Sequence, residues 1–186
     1  MADYQNNPHF IWLHLILMTL RLILTRHAKS SWDDLTVKDH DRALNARGYA
    51  AAKAIGSWIA QQKYCPQAVY SSTARRTAET WAAISRHCNG SIDVQFTSAL
   101  YMASPERMLN ILKGCRQERV MLLGHNPGTA MLANVLVNKA PNHAKFDKYP
   151  SGATIVIDFE AESWADIELN SGEVVDFVVP RELVSQ

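Results

Sequence analysis

The sequence lacks several features that would place it in a specialised class of proteins. Its 186 residues include only three cysteines, with no C-x-x-C spacing, which argues against a disulfide framework and a zinc knuckle. The 19 basic side chains nearly balance the 18 acidic ones, which argues against a nucleic-acid-binding domain. With 47% apolar residues and few Gly and Pro, the chain is not intrinsically disordered. We therefore expect one packed domain with three reduced thiols in the cytoplasm.

The longest apolar run is too short for an ordinary membrane span. Residues 10–24 are largely apolar but include His14 and Arg21, and about 20 apolar residues are needed to cross a bilayer. Only Asp3 carries a charge before this run, and no small-x-small cleavage site follows it, unlike a secretory signal. We predict that residues 1–19 are a non-native or non-essential extension of a single domain at 20–186. A membrane anchor is the less favoured alternative.

Apolar runs alternate with segments of helical periodicity along most of the chain. Strands are predicted at 20–25, 68–71, 93–96, 120–123, 153–159 and 174–179, with a further possible strand at 164–169. Helices are predicted at 45–63, at 72–87, from near 104 onward and after 128, where Met131, Leu132, Val135 and Leu136 would share one face. This alternation predicts an α/β fold of three α/β/α layers with a mostly parallel central sheet.

Basic side chains follow three of the predicted strands. Arg26 and His27 end the first strand, Arg75 and Arg76 follow the second, and His125 ends the strand at 120–123. Ligands of parallel sheets bind at the carboxyl ends of strands, so we expect these side chains to form one cationic pocket. Arginine binds phosphate oxygens bidentately, a neutral imidazole can attack phosphorus, and a protonated imidazole can donate to the phosphoryl group. Such a pocket could transfer phosphoryl groups without a metal.

Other types of site fit the sequence less well. The chain contains neither the G-x-x-x-x-G-K-[ST] phosphate loop nor the G-x-G-x-x-G dinucleotide fingerprint, and its seven histidines lack the usual metal-ligand spacing. Segment 124–128 has the glycine frame of a hydrolase nucleophile elbow, but Asn126 occupies the position of the serine. We therefore predict no cofactor and no metal, with an ion held by the acidic loop at 33–41 as a minor alternative.

Four ordered motifs and the tail carry a resemblance to a known family. Segment 24–30, LTRHAKS, resembles the R-H-[GA] signature of the histidine phosphatase superfamily, which has the phosphoglycerate mutase-like fold. Segments 41–48, 71–80 and 124–128 are also similar, and with the tail at 180–183 they most resemble SixA-like phosphohistidine phosphatases.

The resemblance implies a role for each residue of the predicted pocket. His27 would be the nucleophile that becomes phosphorylated, Arg26 and Arg76 would hold the phosphate, and His125 would stabilise the transition state. Ser30 lies where relatives place a hydroxyl that helps to bind phosphate.

Two details of the motifs bear on this assignment. The family's second arginine stands four residues after the serine of S-P-x-x-R, which selects Arg76 over Arg75 when that serine is Ser72. Ala43 replaces the proline of the family's D-R-P-L segment.

The expected reaction is removal of a phosphoryl group through a phosphohistidine intermediate. Phosphate-ester relatives protonate the leaving alcohol with a carboxylic acid, and only Glu106 and Asp33 are weak candidates for that acid. An imidazole leaving group has little need of such an acid, which favours a phosphohistidine protein as substrate. A phosphatase of small phosphorylated metabolites and a non-catalytic phosphate-binding module are the alternatives. Nucleic acid and membrane are not expected as partners.

Overall fold

A computed structural model describes residues 18–184 and contains a central six-stranded sheet. The strands follow one another along the chain as β1 (Met18–Arg26), β2 (Ala68–Ser72), β3 (Asp93–Thr97), β4 (Arg119–Gly124), β5 (Thr154–Ala161) and β6 (Glu173–Val178). Their order across the sheet is β3-β2-β4-β1-β5-β6. The pairs β1–β4, β4–β2 and β2–β3 are parallel, whereas β5 is antiparallel to both of its neighbours, β1 and β6. The predicted mostly parallel sheet is confirmed.

Helices cover both faces of this sheet. They are α1 (Ala46–Gln61), α2 (Arg75–Ser85), α3 (Pro105–Lys113), α4 (Gly128–Leu136) and the short α5 (Pro180–Val184). Ile23 of β1 packs in a buried cluster with Ile55 of α1, and Leu24, on the opposite face, packs in a second cluster with Leu132 of α4. Helices α1, α2 and α5 therefore lie on one face, and α3 and α4 lie on the other. This arrangement confirms the three α/β/α layers.

The central strands β1 and β4 bring two chain segments to the same edge of the sheet. Their apolar side chains are buried on both faces, as expected for strands inside a parallel sheet. The register pairs Arg26 with Gly124, the last residue of each strand. His27 and His125 are the next residues in each segment, so both leave the sheet side by side.

Strand β1 begins two residues before the predicted start. Met18 and Thr19 pair with Ala161 and Glu160 of β5. Residues 1–17 lie outside the described residues, so the predicted extension stays a prediction. No helix between residues 18 and 184 is long and apolar enough to cross a membrane.

Two local predictions were wrong in detail. Segment 164–169 is no strand, because Trp164–Asp166 forms a 3-10 turn whose buried indole N–H donates to the carbonyl of Gln117. In α4, Leu132 and Leu136 are buried whereas Met131 and Val135 are exposed. The four apolar residues do not share one buried face, because adjacent helical positions differ by about 100° around the axis.

The prediction of three reduced thiols was also wrong. Cys65 and Cys88 form a disulfide, and Cys115 is a free, buried cysteine. Helices α1 and α2 pack side by side and both run away from the edge that carries His27, so the segments that follow them meet. The reduced-thiol argument for an intracellular protein no longer holds, and the cytoplasmic location stays a prediction.

Gly48, in the first turn of α1, packs against the loop that follows β1. Its N–H donates to the Asn45 side chain, which caps the helix as predicted, and Asn45 N–H donates to the carbonyl of Lys29. A Cβ atom at Gly48 would overlap the carbonyl oxygen of Lys29. The close approach of two backbones therefore requires glycine at this position.

We predict that Gly48→Ala lowers the free energy of unfolding by about 1–3 kcal/mol, because either α1 or the Lys29 loop must shift. Gly114→Ala is the matched control, because its Cβ would lie 3.4 Å from the nearest atom, in ordinary contact. This control should change stability by less than about 0.5 kcal/mol. Denaturant unfolding measures both values, and equal midpoints for the two variants would contradict the predicted overlap.

Candidate active site

A pocket of about 250 Å³ lies at the carboxyl ends of β1, β2 and β4. All five predicted site residues line it: Arg26, His27, Ser30, Arg76 and His125. Arg75 does not, because its side chain is exposed and pairs with Glu79 at 2.8 Å. The spacing argument that selected Arg76 therefore chose the arginine that faces the pocket. No group of three or more metal-binding side chains occurs between residues 18 and 184.

The imidazole of His27 is held in the form a nucleophile needs. Its Nδ1 lies 2.7 Å from the carbonyl oxygen of Ala28, and since a carbonyl only accepts, Nδ1 carries the proton. Nε2 therefore has a free lone pair. Burial lowers the pKa of His27 to about 4, and the charges of Arg76 and Arg26 contribute to that shift. His27 is thus a neutral imidazole at neutral pH, with its one proton on Nδ1.

The second imidazole, His125, is oriented by two hydrogen bonds. Its Nδ1 accepts from Nη2 of Arg76 at 3.2 Å, which leaves Nε2–H to donate to the Ser72 hydroxyl at 2.8 Å. The ring centroids of His27 and His125 are 5.1 Å apart. Burial, followed by the charges of His27 and Arg76, lowers the pKa of His125 to about 3. The ring is therefore neutral in the phosphate-free pocket, and the protonated form expected from the sequence would need a bound phosphoryl dianion to stabilise it.

Arg26 has hydrogen-bonding capacity to spare. Its Nη1 donates to the carbonyl of Tyr149 at 2.9 Å, whereas its Nε is buried and has no partner among residues 18–184. Burial and the neighbouring charge of Arg76 lower the pKa of Arg26. A buried cationic donor without a partner is costly, and an anion in the pocket would satisfy it.

Asp39 is a pocket residue that sequence reasoning did not assign. Its carboxylate accepts from Nη2 of Arg76 at 2.9 Å, from Nη1 of Arg42 at 3.2 Å and from the Tyr101 hydroxyl at 2.7 Å. The hydrogen bond from Tyr101, the hydrogen bond and charge of Arg76, and the charge of Arg42 lower the pKa of Asp39. Asp39 therefore remains ionised, and it holds Arg76 in place.

This ionised state matters because Asp39 is the one carboxylate among the described residues that line the pocket. The two weak candidates for a general acid lie elsewhere. Asp33 accepts from the Ser31 hydroxyl at 2.6 Å, and Glu106 is exposed in the first turn of α3. Neither lines the pocket. Within residues 18–184, no protonated carboxylic acid faces the pocket.

Ser30 is positioned by Arg42. This arginine lies in one of the sequence motifs, which assigned it no role. Nη2 of Arg42 donates to the Ser30 hydroxyl oxygen at 3.0 Å, and the guanidinium also donates to the carbonyl of Ser31. Arg42 lies 3.3 Å from the ring centroid of Trp32, at the pocket wall. The Ser30 hydrogen is therefore free to point into the pocket. The Asp41-Arg42 pair in the motif at 41–48 was the sequence feature that could have identified Arg42.

Comparisons with known sequences agree with the motifs. The model of the histidine phosphatase superfamily (branch 1) matches residues 22–101. An uncharacterised protein of Mycobacterium tuberculosis is 32% identical over 163 residues, which cover 84% of this chain and 99% of that protein.

Solved structures with the same fold include two that bear the SixA name. One from Agrobacterium tumefaciens is 31% identical with a TM-score of 0.75, over 87% of this chain and 98% of that one. Another, from Nakamurella multipartitia, is 26% identical with a TM-score of 0.73, over 88% and 97% of the two chains. A mycobacterial glucosyl-3-phosphoglycerate phosphatase shares only the fold, at 14% identity and a TM-score of 0.57 over 87% and 98%. The chain therefore belongs to the histidine phosphatase superfamily and is SixA-like.

Proposed function

We propose that this phosphatase hydrolyses phosphohistidine on proteins, without a metal, through a phosphorylated His27. The observation that carries the proposal is a cationic pocket with a neutral, oriented imidazole, whose one carboxylate among the described lining residues, Asp39, is held ionised. Such a pocket can bind and transfer a phosphoryl group, but it offers no acid to a leaving alcohol.

In the first step, Nε2 of His27 attacks the phosphorus atom in line. The bond from phosphorus to Nε2 forms as the bond to the substrate nitrogen breaks, and the electron pair of the broken bond remains on the substrate imidazole. A phosphohistidine that is protonated on its second ring nitrogen leaves as a neutral imidazole, so it needs no further proton. Arg26 and Arg76 compensate the charge on the phosphoryl oxygens.

In the second step, water hydrolyses the phosphorylated His27. The water oxygen bonds to phosphorus, the bond to Nε2 breaks, and both water hydrogens leave with the phosphate. The bond from Nδ1–H to the Ala28 carbonyl keeps the ring in one orientation throughout, since Nδ1 does not exchange its proton in either step. The ring of His125 lies 5.1 Å from that of His27, and a phosphoryl dianion bound between them would raise the pKa of His125 so that it can donate to the transferring group.

The leaving group distinguishes the proposed substrate from a phosphate ester. An alkoxide is a poor leaving group unless an acid protonates it, and Asp39, held ionised by Arg76, Arg42 and Tyr101, cannot do so. The SixA name of two similar structures also supports a phosphohistidine substrate. We keep the cytoplasm as the proposed location of this reaction, without the support of the reduced-thiol argument that the Cys65–Cys88 disulfide removed.

A phosphatase of small phosphorylated metabolites is the second candidate function. The glucosyl-3-phosphoglycerate phosphatase that shares the fold supports it, and the same pocket would bind either phosphoryl group. A non-catalytic phosphate-binding module is the third candidate, and it would bind phosphate without forming a phosphoenzyme.

We predict that His27→Ala lowers turnover of a phosphohistidine protein by about a thousandfold or more, because the nucleophile is removed. The enzyme as isolated should turn over this substrate faster than a panel of phosphate monoesters. Brief exposure to labelled substrate should produce an acid-labile phosphoenzyme, which His27→Ala should not form. His87→Ala is the control, since His87 is not part of the pocket. Retained turnover or labelling of His27→Ala would refute the role of His27.

The two adjacent arginines provide a matched pair of variants. Arg76→Ala should lower kcat/KM by about 10²–10³-fold, because it removes a buried cation that would contact the phosphoryl group. Arg75→Ala should change kcat/KM by less than about twofold, since its exposed ion pair with Glu79 contributes little. Steady-state kinetics on one phosphohistidine substrate measures both. Equal effects would show that Arg76 has no special role.

The lowered pKa of His27 predicts how the protein responds to acid. In the folded protein, His27 should remain neutral until the pH falls to about 4, whereas a histidine of the unfolded chain gains its second proton near pH 6.5. The unfolded chain then binds more protons, so this residue should lower the free energy of unfolding by up to about 3 kcal/mol between pH 6.5 and 4.

Imidazole C–H signals in an NMR titration report the pKa directly, and the His27→Ala spectrum assigns the signal of His27. Unfolding of both proteins at pH 7 and at lower pH measures the contribution of His27 to acid sensitivity. A midpoint near 6.5 for His27 in the folded protein would contradict the effect of burial.

A further inference from the structure

A second and larger concavity of about 750 Å³ opens beside the catalytic pocket. It shares Lys29 and Ser151 with that pocket, so the two form one continuous surface. We call this second concavity the basic groove. It is lined by Lys29, Arg47, Ala50, Ala51, Lys145, Lys148, Pro150, Ser151, Val179, Pro180, Arg181 and Val184. The tail motif at 180–183, to which the catalytic mechanism assigns no part, contributes to its wall.

The groove concentrates positive charge on a protein that is nearly neutral as a whole. Among the described residues that line it, five are lysine or arginine and none is acidic, whereas the whole chain has a net charge of +1. Lys29, Arg47, Lys145 and Lys148 form no ion pair with any residue in the range 18–184. The catalytic pocket differs, because Asp39 pairs with Arg76 there. These four cations of the basic groove therefore have no ion-pair partner among residues 18–184, and they lie next to the reaction site.

The charged residues of the groove come from four separate parts of the chain. Lys29 follows β1, Arg47 lies in the first turn of α1, Lys145 and Lys148 precede β5, and Arg181 lies in α5. The Lys29 backbone is fixed by the hydrogen bond from Asn45, and Gly152 N–H donates to the carbonyl of His27 at 3.0 Å. These hydrogen bonds connect two segments of the groove lining to the loop that carries His27.

Part of the groove lining is apolar, which argues for a polypeptide as the occupant. We call the apolar lining residues Ala50, Ala51, Val179 and Val184 the floor of the groove, and Val184 is 58% exposed. No aromatic side chain from residues 18–184 lines the groove, so this part of the chain offers no stacking surface of the kind typical of single-stranded nucleic acid sites. The groove is also three times as large as the pocket that would receive the phosphoryl group.

We propose that the basic groove binds an acidic, partly apolar segment of the phosphorylated protein, next to its phosphohistidine. The inference rests on the proposed phosphohistidine phosphatase function and adds the class of protein that the enzyme selects. Carboxylates of the segment pair with the lysine and arginine side chains, and its apolar side chains cover the floor. Complementary charge speeds the encounter and orients the phosphoryl group towards His27.

Two matched phosphohistidine peptides test the proposal. Their sequences are identical except that the residues flanking the phosphohistidine are Glu and Asp in one and Gln and Asn in the other. The protein should hydrolyse the acidic peptide with about tenfold higher kcat/KM, mainly through a lower KM, and added salt should reduce this preference. Binding of the unphosphorylated acidic peptide, measured by fluorescence anisotropy, reports on the groove independently of catalysis.

Charge reversal in the groove should remove the preference without affecting the chemistry. Lys145→Glu/Lys148→Glu should lower kcat/KM for the acidic peptide by about tenfold or more and change that for the neutral peptide by less than about twofold. Lys113→Glu/Lys139→Glu is the control with the same change in net charge. Lys113 ends α3 and Lys139 follows α4, in the layer opposite α1 and α5, and both are exposed.

The outcomes separate this inference from the proposed function. Equal hydrolysis of both peptides, or an equal loss for both in the groove variant, would overturn the groove while leaving the phosphatase function intact. Hydrolysis of neither peptide, with turnover of phosphate monoesters, would overturn the proposed function. If the groove variant then lost activity only on monoesters with a second anionic group, the occupant would be a small metabolite and the polypeptide proposal would be wrong.

Discussion

The parallel pairing of β1 with β4 at the centre of the sheet is the constraint on which the rest of the site depends. Both strands are buried on both faces, so their direction and register cannot slip without exposing the core. The register ends at Arg26 and Gly124, and it therefore places His27 and His125 next to each other. Strand β2 on the far side of β4 leads into α2, which brings Arg76 to the same point.

Burial of these groups makes the pocket electrostatically unfavourable until an anion binds. Three arginines, one lysine and two imidazoles line a small pocket, and burial together with the neighbouring charges lowers the pKa values of both imidazoles. Asp39 compensates part of the charge, whereas Arg26 retains a buried donor without a partner among the described residues. The same desolvation that costs stability keeps His27 neutral, so its Nε2 lone pair is available to attack. The lowered pKa of His27 therefore connects the burial of this residue to its chemistry.

The basic groove and the catalytic pocket depend on the same short loop after β1. The Lys29 backbone accepts the hydrogen bond from Asn45 and packs against Gly48, while its side chain lines both cavities. Recognition and chemistry are therefore connected through residues 27–30 and the first turn of α1. The nearly neutral composition of the chain hides this feature, because net charge does not report where the charges lie.

The sequence by itself determined the strands, the Asn45 helix cap and the mostly parallel three-layer fold, because apolar runs and capping residues act locally. Its motifs also indicated the five pocket residues and selected Arg76 over Arg75. Only the tertiary structure decided which distant groups meet: Asp39 with Tyr101 and Arg76, the Cys65–Cys88 disulfide, the buried face of α4, and the four segments of the basic groove. Local periodicity indicates which kind of element a segment forms, whereas the face that the element buries and the partner of each residue depend on how whole elements pack together.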